Sequence, residues 1–71
     1  MDRDTVTSRD LGVRVREARV RRGLDVPTLA ARVGVSARDV ERWEAGETVP
    51  AMMALVQLAE VLGCSFDDLV R

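Results

Sequence analysis

Apolar positions along the chain recur at three- and four-residue intervals, the spacing of one face of a helix, in five separate stretches. Leu11, Val15 and Ala18 define helix 1, from Asp10 as N-cap to Arg22, and Gly23 ends it. Leu29, Ala30 and Val33 form the inward face of helix 2, about Val26 to Val33, with Asp25 as N-cap and Pro27 in the first turn, where a missing N–H costs little. Gly34 stops it, because a left-handed turn suits glycine without steric penalty. Ser36 caps helix 3, which runs to about Ala45 and ends at Gly46; with Asp39 three residues on, S-x-x-D approximates a capping box. Val40 and Trp43 give helix 3 its inward side. After the loop Glu47-Thr48-Val49-Pro50 comes helix 4, about Ala51 to Leu62, with Met52, Leu55, Leu58, Ala59 and Leu62 as its core stripe. Gly63 ends it. Ser65 caps helix 5, Phe66 to Val70, again as S-x-x-D with Asp68, and Phe66, Leu69 and Val70 cover the bottom of the core. No strand, repeat or low-complexity tract interrupts the series.

Two pairs of apolar residues do not fit these faces. Val13 and Val20 lie opposite the core stripe of helix 1; they read either as tolerated surface valines or as a contact surface for a second subunit or for the N-terminal segment. Met53 and Val56 widen the helix 4 stripe beyond one face and read equally as core or as half of a dimer patch. Residues 1–9 lack periodicity and are expected to form a flexible arm ahead of a domain spanning 10–71. Arg3 and Arg9 on such an arm could reach a DNA minor groove, though Asp2 and Asp4 offset their charge and a frayed tail reads as well.

Composition narrows the picture further. Seventy-one residues make one domain near the lower size limit for folding without a staple. One cysteine precludes an intrachain disulfide, and the absence of histidine rules out a His/Cys zinc site, so no metal and no cofactor is expected. The fold must rest on apolar packing, which 46% hydrophobic content supplies. Cys64 reads as a buried apolar filler rather than a redox sensor. No run approaches a membrane span and the N-terminus is not a signal peptide, so a cytoplasmic protein is expected, at the nucleoid when bound to DNA. There is no histidine, no nucleophile–base pair and no phosphate loop, so the chain is not read as an enzyme, and no small-molecule ligand is evident.

The net charge of −1 argues weakly against nucleic acid, but its distribution is uneven: residues 1–23 hold seven Arg against four acids, residues 24–50 three against five, and residues 51–71 one against three. A short helix with a polar outer face, braced by a second helix across a tight turn, is the shape that enters the DNA major groove. Helix 3 offers that face in Ala37, Arg38, Glu41 and Arg42. Arg38 and Arg42 are one turn apart on one side, and either could bond a guanine edge. The bland alternative pairs Arg42 with Asp39 and Arg38 with Glu41 on a solvated surface.

From Leu11 to Val70 the chain resembles the helix-turn-helix domains of the lambda-repressor and Cro type, the XRE family of bacteria and their phages. The resemblance rests on Arg22-Gly23-Leu24, Leu29-Ala30, Gly34-Val35-Ser36, Val40, Trp43-Glu44, Gly46, Pro50 and Leu58-Ala59-x-x-Leu62-Gly63, without an insertion. It implies an all-α fold, a compact five-helix bundle with the helix-turn-helix at helices 2 and 3. It implies an ion pair between Arg19 and Glu44 beneath the DNA-facing surface, base reading by Ala37, Arg38, Glu41 and Arg42, and phosphates held around Asp25, Val26, Ser36, Ala45 and Thr48. The implied function is a sequence-specific transcriptional regulator that inserts helix 3 (36–45) in the major groove of double-stranded DNA, as a homodimer on a palindromic site. Departures from the pattern support an alternative, a protein-interaction module with weak or no DNA binding. Val26 stands where the family often has a phosphate-holding Gln, and Glu47 where it often has Lys or Arg. Backbone N–H groups at the N-termini of helices 2 and 3 would then carry the phosphates.

Overall fold

Five helices follow in order: α1 (Ser8–Arg21), α2 (Val26–Val33), α3 (Ala37–Glu44), α4 (Met52–Leu62) and α5 (Phe66–Val70). They are described from a computed structural model, for residues 7–71. The arm residues Asp2, Arg3 and Asp4 lie outside the described residues.

Short polar signals set most of the helix boundaries. Thr7, Ser36 and Ser65 each accept a hydrogen bond from the amide of an aspartate three residues on, and the carboxylate of that aspartate accepts one from the cap's own N–H. Helix 1 begins earlier than the sequence pattern predicts. Asp10 is the third helical residue, not the N-cap, and Thr7 caps the helix, so residues 8 and 9 belong to α1 rather than to an arm. The reason is physical: Thr7-x-x-Asp10 is the same reciprocal box as Ser36-x-x-Asp39, and two satisfied donors outweigh one. α4 is the exception. Its N-cap, Ala51, makes no side-chain bond, and the chain enters the helix from Pro50, which is buried.

The core is one cluster: Leu11, Val15 and Ala18 of α1, Leu29 and Ala30 of α2, Val40 and Trp43 of α3, Leu55, Leu58, Ala59 and Leu62 of α4, and Leu69 of α5. Four of the five expected α4 positions are buried. Met52 is not; at 64% exposed it lies outside the core, because it is the first helical residue and α4 meets its neighbours only further along. Of the three residues assigned to the base of the core, only Leu69 is fully buried, while Phe66 and Val70 pack against the cluster from its edge.

The approach of α1 to the end of α3 depends on an absent side chain. Gly12 lies inside α1 and is buried; a Cβ there would sit 2.8 Å from the Glu44 carbonyl oxygen and would also overlap that of Trp43. The two helices therefore cross almost backbone to backbone. Nearby, the Ser8 hydroxyl donates to the Gly46 carbonyl at 3.2 Å, tying the start of α1 to the turn after α3. Gly46 holds φ at +77°, which lets the chain turn back over α1.

Candidate nucleic-acid interface

α2 and α3 meet at a tight turn. Gly34 adopts φ +88°, and the Gly34 and Val35 amides both donate to the Ala30 carbonyl, closing α2 before α3 begins. Val40 is fully buried and Trp43 nearly so, which fixes the rotation of α3 about its axis. That rotation points Arg38, Glu41 and Arg42 to solvent, with Ala37 half-buried at the helix start. Arg38 and Arg42 are one turn apart and share the outer side.

Neither arginine is paired with a carboxylate among the described residues. Among the described residues the ion pairs are Arg19–Glu44 and the exposed Arg71–Asp67. Asp39 forms no ion pair with Arg42, nor Glu41 with Arg38; the Asp39 carboxylate instead accepts from the Ser36 amide at 3.1 Å. The outer side of α3 thus presents two open guanidinium groups, with Glu41 between them.

Arg19 holds the end of α3 in place. Its Nε donates to Glu44 Oε2 at 2.7 Å and its Nη2 to Oε1 at 3.0 Å, while Nη1 donates to the Leu24 carbonyl at 2.9 Å. One planar group therefore links α1, the α1–α2 turn and α3. The two side chains are only 14% and 11% exposed. The bonds to Glu44 raise the Arg19 pKa against the opposing effect of burial.

The expected phosphate positions divide. At the start of α2, Thr28 N–H is taken by the Asp25 carboxylate at 2.8 Å, and Pro27 has no N–H, so Val26 alone retains an unbonded first-turn amide. Val26 itself is half-buried against the core. The Thr28 bonds lower the pKa of Asp25, which keeps a negative charge at this helix end. At the start of α3 the Ser36 and Asp39 amides are used in the capping box, leaving those of Ala37 and Arg38 open. Ala45 offers no free donor, since its N–H reaches the Glu41 carbonyl. Glu47 and Thr48 are exposed, and their amides both turn back to the Arg42 carbonyl, at 2.9 and 3.5 Å. The Thr48 hydroxyl and the α3 N-terminus are thus the polar groups nearest in kind to a phosphate cradle, and Glu47 works against them.

Val13, Val20, Met53 and Val56 are all exposed, as are Val49 and Met52. The Gly12 crossing was not anticipated from the sequence; a glycine inside a helical pattern is the signal that marks it. Among the described residues, no cluster of three His, Cys, Asp or Glu could hold a metal ion, and no helix is long and apolar enough to cross a membrane.

Residues 10–71 match the family model of the helix-turn-helix domain. Among solved structures, the chain is similar to the P22 c2 repressor in complex with a synthetic operator, at 34% identity and TM-score 0.83, covering 86% of this chain and 92% of that one. It is similar to the DNA-binding domain of the same repressor in solution, at 36% identity and TM-score 0.81 over 83% and 78% of the two chains. A third, the restriction-modification controller protein C.AhdI from Aeromonas hydrophila, is 29% identical with TM-score 0.83, covering 87% and 94%. No curated protein matches the chain.

Proposed function

The chain belongs to the helix-turn-helix domain family, of the lambda-repressor and Cro type, and on that premise we propose that it reads a specific DNA sequence by laying α3 in the major groove. The observation that carries this reading is the pair of arginines on α3. Arg38 and Arg42 are exposed, share one side, and have no carboxylate partner among the described residues, on a helix whose rotation is fixed by Val40, Trp43 and the Arg19–Glu44 pair. Each can bond the O6 and N7 edge of a guanine, an interaction worth about 1–3 kcal/mol of discrimination. Ala37 gives close approach at the helix start, and Glu41 can accept from a cytosine amine. The open amides of Ala37 and Arg38 supply a phosphate contact that needs no basic side chain.

Phosphate contacts provide most DNA affinity, and here they are few. We therefore propose that two copies act together on a palindromic site, each supplying one recognition helix, with half-sites about one helical turn apart. Exposed Val49, Met52 and Met53, together with Glu47, favour a second reading, in which the same fold engages a protein partner and binds DNA weakly.

Selection of bound sites from a random duplex pool, followed by Arg38→Ala and Arg42→Ala, separates the two. Base reading predicts that each substitution weakens binding to the selected site while leaving binding to random DNA nearly unchanged. Equal loss on both would reduce the arginines to phosphate contacts, and no enriched sequence would leave the protein-partner reading.

A further inference from the structure

α1 carries an apolar line that no described part of the chain covers. Val13 and Val20 are 48% and 60% exposed, on the side opposite the core residues Leu11, Val15 and Ala18. Seven residues are close to two helical turns, so the two valines stand one above the other, roughly 10 Å apart. Arg16 and Glu17, both exposed, come midway between them. At about 100° per residue they project to opposite sides of the valine line, by about 50° each. With Arg21 and Glu44 these four residues line a shallow groove of ≈ 570 Å³. Neither Arg16 nor Glu17 forms an ion pair with another described residue.

We propose that this face pairs with the same face of a second copy, the two α1 helices running parallel about a two-fold axis along their length. The proposal rests on the two-copy reading above and names its surface. A two-fold axis parallel to the helices brings opposite flanks together, so Arg16 of one copy faces Glu17 of the other, and the reverse contact repeats it. Val13 then meets Val13 and Val20 meets Val20 of the second copy. The antiparallel arrangement brings like flanks together, placing arginine on arginine and glutamate on glutamate. The charges thus select the parallel form, and with it self-recognition. A contact one helix wide is at the small end of interface sizes, so the pairing is weak in free solution and is completed when DNA holds two copies side by side.

Sedimentation equilibrium of the full chain, from micromolar to millimolar, tests this, with circular dichroism melts to show that every variant folds. The wild type is expected to self-associate. Arg16→Glu and Glu17→Arg each create like-charge contacts and should weaken association about tenfold. The double variant Arg16→Glu/Glu17→Arg restores complementarity and should recover it. If the wild type associates but all three variants match it, pairing through α1 is wrong, while the two-copy reading survives; dissociation by Met53→Asp would then move the interface to α4. If the wild type is monomeric throughout and binds the selected duplex as one copy, both readings fall.

Discussion

Removing either partner of the Arg19–Glu44 pair should destabilise the fold by several times what a surface ion pair is worth. The pair is bidentate, at 2.7 and 3.0 Å, and its side chains are 14% and 11% exposed. Exposed pairs contribute about 0–1 kcal/mol, whereas truncating one member of a buried pair costs about 3–5 kcal/mol, because the survivor keeps its charge without compensation. The partial exposure here points to the lower end, about 3 kcal/mol for Glu44→Leu. A chain of this length has on the order of 4–10 kcal/mol of total stability. The substitution therefore removes a third or more of it, and should lower Tm by roughly 12–24 °C, at 4–8 °C per kcal/mol. Arg19→Met should cost a similar amount. The double variant Arg19→Met/Glu44→Leu should recover most of the loss, since two apolar groups leave no stranded charge. It should fall short of wild type by about 1 kcal/mol, because the Leu24 carbonyl loses its donor at 2.9 Å. Thermal and urea melts followed by circular dichroism measure all three. A loss below about 1 kcal/mol for both single variants would show that the pair behaves as a surface contact. A double variant as unstable as the sum of the singles would show that the two residues are not coupled.

Three further outcomes follow from separate features. Gly12→Ala should destabilise by about 1–3 kcal/mol in the same melts, although alanine is the better helix former, because its methyl group meets the Trp43 and Glu44 carbonyls; an unchanged or raised Tm would mean the helices part freely. Glu47→Lys should strengthen DNA binding and steepen the dependence of log K on log salt by up to about 1, and an unaltered slope would place the loop away from the phosphates. Asp25 has its folded-state pKa lowered by the bonds from Thr28, so its contribution is present above the unfolded carboxylate pKa and is lost as pH falls through the lowered folded value. Between pH ~5 and ~3 the wild type should therefore lose more stability than Asp25→Asn, whose cap does not titrate; parallel declines would sink the assignment.

Much of this architecture is legible in the sequence because its signals are local. Gly34, Ser36 with Asp39, and Val40 with Trp43 lie within ten residues and dictate a turn, a helix start and a buried face without reference to anything distant. The start of α1 was harder: Thr7 and Asp10 can each cap a helix, and only the reciprocal bonding of both decides between them. Periodicity also misplaced Met52. It marks which side of a helix faces inward, but not how far along the axis a neighbour extends. Gly12 is the opposite case, a residue whose importance is invisible to periodicity because it lies in the backbone of another helix. At the candidate interface, the sequence indicated which residues sit on α3. It could not say which carboxylates come within ion-pair distance of Arg38 and Arg42, and among the described residues none does.

The repeated capping boxes at Thr7, Ser36 and Ser65 have a consequence for how the chain assembles. Each is complete within four consecutive residues, so the instruction to begin a helix is present before any two helices meet. The cost of nucleating a first turn is offset locally, and transient helices can form in the unfolded chain and then collide. Connections of three to seven residues keep the search short. Folding in the microsecond-to-millisecond range expected of small helical domains follows, and a newly made copy becomes competent to bind far faster than it is synthesised.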